Sequence, residues 1–334
     1  MSHPISVPDV VELATLDRNG VIESRHLGAL AVVDRDGKLI ASLGNPEAMI
    51  YARSSLKPFQ AIASVRNGAE LSDERLALAC ASHVGSQRHQ DLAAAVLEST
   101  GLDESALRCP TAWPQDEPTF FARVREGLDK NQLAFNCSGK HSAFLSACVA
   151  SGWDQESYLD PAHPLQQAVM DAVVEFSGSP IGNIAIDGCG APVPQMPLVG
   201  LARATAKLLR LAADGSDDPA ARVAPAMLAH PWAVHGEGAE NTVVMEDLGV
   251  LAKLGAEGVL ILGAPDGTAL AMKMLDGSTR ANTLVALSAL VALGVLEESA
   301  VAPVLAKVVR PVLGGGKPVG AMLPSAAVTS LSRA

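Results

Sequence analysis

Aromatic side chains are scarce in this chain, 3% of 334 residues, so its interior must be filled mainly by Ala, Val and Leu within a hydrophobic share of 49%. That composition belongs to an ordinary globular interior and gives no sign of disorder. Charge is also sparse, at 18%, and it leans acidic, with a net charge of −11 and a pI near 5.2. No run or stripe of Lys and Arg breaks this pattern, which argues against a nucleic-acid partner. A stretch of about 20 apolar residues, as a membrane span needs, is missing too. The N-terminus MSHPISVPDVVELATLDRNG has no basic segment leading into an apolar one, so a cytoplasmic protein is expected. No repeat, low-complexity tract or linker-like break divides the chain, and residues 1–334 are read as one unit.

The five cysteines, Cys80, Cys109, Cys137, Cys148 and Cys189, are an odd number without a secretion signal, which favours free thiols or metal ligands over a disulfide framework. Cys80 and Cys148, embedded in LALACAS and FLSACVA, read as small buried hydrophobes.

From Leu27 the sequence LGALAVVDRDGKLIASLGN alternates about an Asp-Gly turn, the pattern of a β-hairpin, and GVLILGAPDGTALAMKMLDG repeats it near the C-terminus. Between them lie helical patterns, including HQDLAAAVLESTG, the run after Asn-Cys-Ser-Gly and PLVGLARATAKLLRLAADG, with TRANTLVALSALVALGVL following the second hairpin. Hairpins favour an antiparallel sheet. The expected class is α+β, shading into α/β: one antiparallel sheet flanked by terminal helices, beside a helical subdomain. Approximate limits are 25–60 with 235–334 for the sheet part and 61–234 for the helical part. A cleft between the two is the natural ligand site.

The densest chemistry lies in YARSSLKPFQ, residues 51–60. Ser54 and Lys57 stand at i and i+3, on one face of a helical first turn, where an amine that loses its proton near neutral pH could activate the hydroxyl. Pro58 allows the helix to begin at Lys57 or Pro58 instead, and spacing alone then leaves Ser54 and Ser55 both eligible as nucleophile. Ser-x-x-Lys hydrolases of the penicillin-recognising kind add a second hydroxyl and a strand lysine. Ser82 in CASHVGS and Lys273 in ALAMKMLDG are the candidates.

A second constellation is Asn136-Cys-Ser-Gly-Lys-His-Ser142 together with Asp187-Gly-Cys-Gly190. Cys137, Cys189, Lys140, His141 and Asp187 would suit a zinc ion with an open position, although no standard Cys-x-x-Cys spacing is present. A nucleophilic Cys137 assisted by His141, and a merely tight turn, are the competing readings.

Taken together and in order, RSSLKPFQ, CASHVGS, NCSGKHSAF and DGCGAP, with GAEGV at 255–259, resemble the asparaginase II family from about residue 25 to 322. These are zinc-binding L-asparaginases of the rhizobial type, with a fold similar to serine β-lactamases, DD-peptidases and glutaminases. The resemblance implies an amidohydrolase converting L-asparagine to L-aspartate and ammonia. Ser54 would be nucleophile and Lys57 its base, with Ser82 and Lys273 as a second Ser-Lys pair. Cys137, Lys140 and Cys189 would hold Zn²⁺, while Arg53, His141 and Asp187 would bind the amino acid substrate. It also implies a homodimer. One departure concerns substrate preference: Gly236-Glu-Gly-Ala-Glu-Asn-Thr242 has Ala239 and Asn241 where the family pattern has Arg and Asp. The alternatives are a glutaminase, a β-lactamase-like esterase, or a zinc-dependent amino acid binding protein without turnover.

Overall fold

The computed structural model describes residues 3–333. Its strands are β1 Val11–Arg18, β2 Val21–Val33, β3 Leu39–Leu43, β4 Met49–Tyr51, β5 Ile184–Ile186, β6 Pro192–Pro197, β7 Leu251–Gly255, β8 Val259–Gly263, β9 Ala269–Met274, β10 Val312–Gly314 and β11 Lys317–Pro324. The main sheet runs β10-β11-β1-β2-β9-β8-β7, antiparallel throughout, with β3 also paired to β2. Both Asp-Gly turns fall where the sequence puts them, since Gly37 and Gly267 adopt φ of 83° and 90° and link β2 to β3 and β8 to β9. A small second sheet, β4-β6-β5, stands beside the first.

The helices used below are α1 Lys57–Arg66, α2 Asp73–Ala79, α3 Gln87–Glu98, α4 Glu117–Arg125, α5 Ser138–Ser151, α6 Pro164–Ser177, α7 Leu198–Ala213, α8 Val223–Ala229, α9 Pro231–Val234, α10 Glu240–Leu248, α11 Asn282–Ala292 and α12 Glu298–Val308. Helices α7 and α11 both pack on the sheet, and all five residues of β8 are buried, as they are when both faces are covered. This explains why VLILG reads as an unbroken apolar run rather than an alternating one. Helices α1, α2, α3, α5 and α6 pack on one another to form the helical part. One contiguous apolar cluster runs through sheet and helices alike. The architecture is the α+β arrangement expected from the hairpins. Among the described residues no helix is long and apolar enough to cross a membrane.

Several elements escaped the sequence reading, two strands among them. Strand β1 comes from VELATLDR, ahead of the hairpin, and places its Leu13–Leu16 segment in the core between β2 and β11. Strand β6, PVPQMP, carries prolines that normally bar a strand from a sheet interior. It survives between two three-residue neighbours.

Two close approaches fix the site. A Cβ on Gly255 of β7 would lie 2.9 Å from both Ala52 O and Ser55 Oγ, so the turn that follows β4 rests directly on β7. A Cβ on Gly139, in the first turn of α5, would meet Leu78 Cγ at 2.4 Å and Leu78 O at 2.5 Å. The start of α5 is thereby pressed against the end of α2.

Candidate active site

Helix α1 begins at Lys57, directly after a 3-10 turn over Arg53–Leu56. Pro58 is tolerated there because first-turn N–H groups have no helical acceptor in any case. In the tighter turn, side chains three residues apart lie nearly over one another, which puts Ser54 and Lys57 on one side. Ser54 is half-buried, and its hydroxyl makes no hydrogen bond among the described residues. Ser55 is instead fully buried and donates its Oγ–H to Lys253 O at 3.1 Å, a tertiary tie rather than a helix cap. The geometry separates the two serines that spacing could not.

Lys57 is 1% exposed, and its Nζ donates to Ser82 Oγ at 3.0 Å, to Asn136 O at 3.3 Å and to Ala81 O. Three acceptors match the three N–H donors of an ammonium. Ser82 sits just beyond α2, held by its N–H to Val234 O at 2.9 Å, and Val84 N–H reaches His235 O at 2.8 Å. On its other side Ser82 Oγ lies 2.8 Å from Lys253 Nζ, which also donates to Leu254 O at 2.7 Å. Lys253 is 0% exposed, and burial first, then the nearby Lys57 charge, push its ammonium well below the ordinary lysine range. Two lysine amines therefore flank a single hydroxyl, and burial disfavours the charged form of the one on β7. His83 and His235 stand at the same place, and burial keeps both imidazoles neutral, His235 down to about 4.

Lys273, expected as the second lysine, is not brought to Ser82. Its Nζ donates to Glu257 O and to Met274 O, both at 2.6 Å. The register Gly255↔Val259↔Lys273 places it on the same sheet face as Lys253 but two strands away, roughly 10 Å across the sheet. The lysine at Ser82 is Lys253, which the sequence reading missed. Its signal was a cation in the otherwise apolar strand LAKLG, two residues before the GAEG turn.

Arg53 holds φ of +52°, a left-handed conformation that costs a non-glycine residue about 1 kcal/mol or more. Its Nε donates to Asp187 Oδ1 at 2.8 Å, and Nη1 lies 4.0 Å from Glu257 Oε1. Glu257 is itself left-handed at +59°. Strained backbone thus aims Arg53 across the site, where Asp187 engages one edge of its guanidinium.

The second constellation converges as well. Lys140 Nζ donates to Cys189 Sγ at 2.9 Å, and the Cys137 thiol donates to Asn136 Oδ1 at 3.1 Å. The neighbouring Cys137 first, then the Lys140 charge and His141, hold Cys189 far below the usual thiol range against the effect of burial, whereas Cys137 is raised. Burial works to lower Lys140, but the two sulfurs outweigh it and raise the amine. His141 Nδ1 accepts from Tyr158 Oη at 2.7 Å, and burial, then Lys140, lower the ring to about 4. Its Nε2, beside Cys189, has no hydrogen-bond partner among the described residues. No group of three His, Cys, Asp or Glu side chains there is arranged to hold a metal ion. Two thiols, one amine and an orphaned imidazole nitrogen nonetheless form a donor set whose chemistry suits a soft divalent cation once Lys140 gives up its proton.

A hydroxyl between two lysine amines, where a β-sheet meets a helical layer, carries the parts for acyl transfer. The chain belongs to the L-asparaginase II family, whose sequence model matches residues 14–324, and is an amidohydrolase of the L-asparaginase type. No match to the chain is found among curated proteins.

Proposed function

We propose that this amidohydrolase converts L-asparagine to L-aspartate and ammonia through an acyl-enzyme on Ser54. The observation that carries the reading is Ser82 Oγ, 3.0 Å from Lys57 Nζ and 2.8 Å from Lys253 Nζ, with burial disfavouring the charged form of Lys253. Lys253 can accept the Ser82 proton while Ser82 takes one from Lys57, which frees a lone pair on Lys57 for the Ser54 proton. The net result is one proton moved from Ser54 to Lys253, with each O–H or N–H bond breaking as the next forms. Ser54 then attacks the amide carbon, and the proton returns along the same path to the departing ammonia. Water repeats the sequence to release aspartate. Arg53, steadied by Asp187, binds the substrate carboxylate, and His141 helps hold the amino acid.

Cys137, Lys140 and Cys189 would hold zinc, which when bound supplies a positive charge that positions the substrate's polar end. We further propose a homodimer on the strength of the family resemblance. A second nucleophile assignment has its own support: it is Ser82, not Ser54, whose hydroxyl touches both lysines. Ammonia release from asparagine and glutamine tests the substrate, and peptide mapping of the trapped acyl-enzyme tests the nucleophile. Ser54→Ala should abolish turnover and leave the fold intact. An acyl group mapped to Ser82 would replace Ser54 in that role.

A further inference from the structure

A cavity of about 500 Å³ lies where the end of β1, the segment before α11, the end of α12 and β10 meet, and none of the Ser-Lys residues lines it. In a chain of net charge −11, three guanidiniums border it, those of Arg18, Arg280 and Arg310. Arg18 is already matched, donating to Glu23 Oε2 at 2.8 Å and Leu313 O at 3.2 Å. Arg280 donates its Nε to His26 Nε2 at 2.8 Å, a neutral acceptor that leaves its charge uncompensated. Arg310 is exposed and has no hydrogen bond or ion pair among the described residues. The single acid in the wall, Glu240, is half-buried and accepts from Thr283 Oγ1 at 3.1 Å. With Arg18 offset by Glu23, two cations less one anion leave the wall one positive charge.

We propose that this cavity is a second ligand site, taking a small amino dicarboxylate, and that its occupancy regulates the Ser-Lys centre. Two carboxylates answer Arg280 and Arg310, one ammonium answers Glu240, and the ligand's net charge of −1 balances the wall. The link to catalysis is short. Glu240 is the first residue of α10, which packs on β7, the strand of Lys253. Four residues before Glu240, Gly236 follows Val234 and His235, whose carbonyls hold the N–H groups of Ser82 and Val84. The same region is under-satisfied: Asn282, 0% exposed, has neither amide atom paired, and Asn241, 2% exposed, has its Nδ2 unpaired among the described residues. Unpaired buried amides leave the packing at this end of α10 incompletely satisfied. An amino dicarboxylate is the product class of the proposed reaction, and only the regulatory half of the inference rests on that reading.

Isothermal titration of L-aspartate into the full chain tests binding. The wild type should titrate with one more L-aspartate site per chain than Arg310→Gln, the lost site weakened about tenfold or more. Glu240→Gln should weaken L-aspartate at that site while sparing succinate, which lacks the ammonium. Identical isotherms for wild type and Arg310→Gln would overturn the site, whether or not asparagine is hydrolysed. Initial rates test regulation: L-aspartate should change the wild-type rate in a way that saturating asparagine does not reverse, and Arg310→Gln should abolish this effect. Purely competitive inhibition in both proteins would overturn the regulatory half alone.

Discussion

The four side chains at the centre differ in what surrounds them. Ser54 and Lys57 share one tight turn and Ser82 follows a helix, so, while their proposed roles come from the family resemblance, the placement of these three was legible in the sequence. Lys253 was not, because Lys253 and Lys273 are both lysines on apolar C-terminal strands and stand on the same sheet face. What separates them is strand order, a long-range property that local pattern does not carry. Burial of Lys253 has a further consequence. Its folded value lies below that of the unfolded chain, so the unfolded state binds the proton more readily, and stability rises with pH up to the ordinary lysine value near 10.4. Lys253→Met should therefore stabilise the protein at neutral pH. The gain is full below the folded value and fades as pH approaches about 10, which thermal unfolding across pH checks.

Elements bring these residues together through contact distances that admit no side chain. Gly139 lets the first turn of α5 touch the end of α2, which sets Asn136 O against Lys57 and Lys140 against Cys189. Gly139→Ala should cost about 1–3 kcal/mol, since the new methyl meets the Leu78 backbone as well as its side chain. Denaturant unfolding measures that loss; no change in midpoint would mean the two helices separate freely. The hairpins flanking the site were readable from Asp-Gly turns and alternation. Strand β1 was missed although Asn19-Gly20, both at positive φ, joins it to β2 in a two-residue hairpin turn, while its other partner β11 lies some three hundred residues away. Strand β6 was hidden by its prolines, whose missing N–H groups are tolerated beside short neighbours.

At the scale of the whole molecule, the sheet supplies Lys253, the helical part supplies Ser82 and Cys137, and the turn between β4 and α1 supplies Arg53, Ser54 and Lys57. The thiol-amine cluster and the Ser-Lys node are joined through Asn136, whose carbonyl binds Lys57 and whose side chain lies at Cys137. If zinc there positions substrate, chelation should raise KM for asparagine several-fold and leave kcat nearly unchanged. An unchanged KM after metal analysis confirms removal would contradict that role. The proposed homodimer predicts twice the 34.4 kDa chain mass by sedimentation equilibrium.

The central claim is that Lys253, with Lys57 and Ser82, carries the proton that activates the nucleophile. Ammonia release from L-asparagine by Lys253→Met and Lys273→Met tests it directly. The account predicts a loss of about 10³-fold or more in kcat for Lys253→Met and less than about tenfold for Lys273→Met, with both proteins folded. Near-wild-type turnover by Lys253→Met, or an equal loss in both variants, would contradict it.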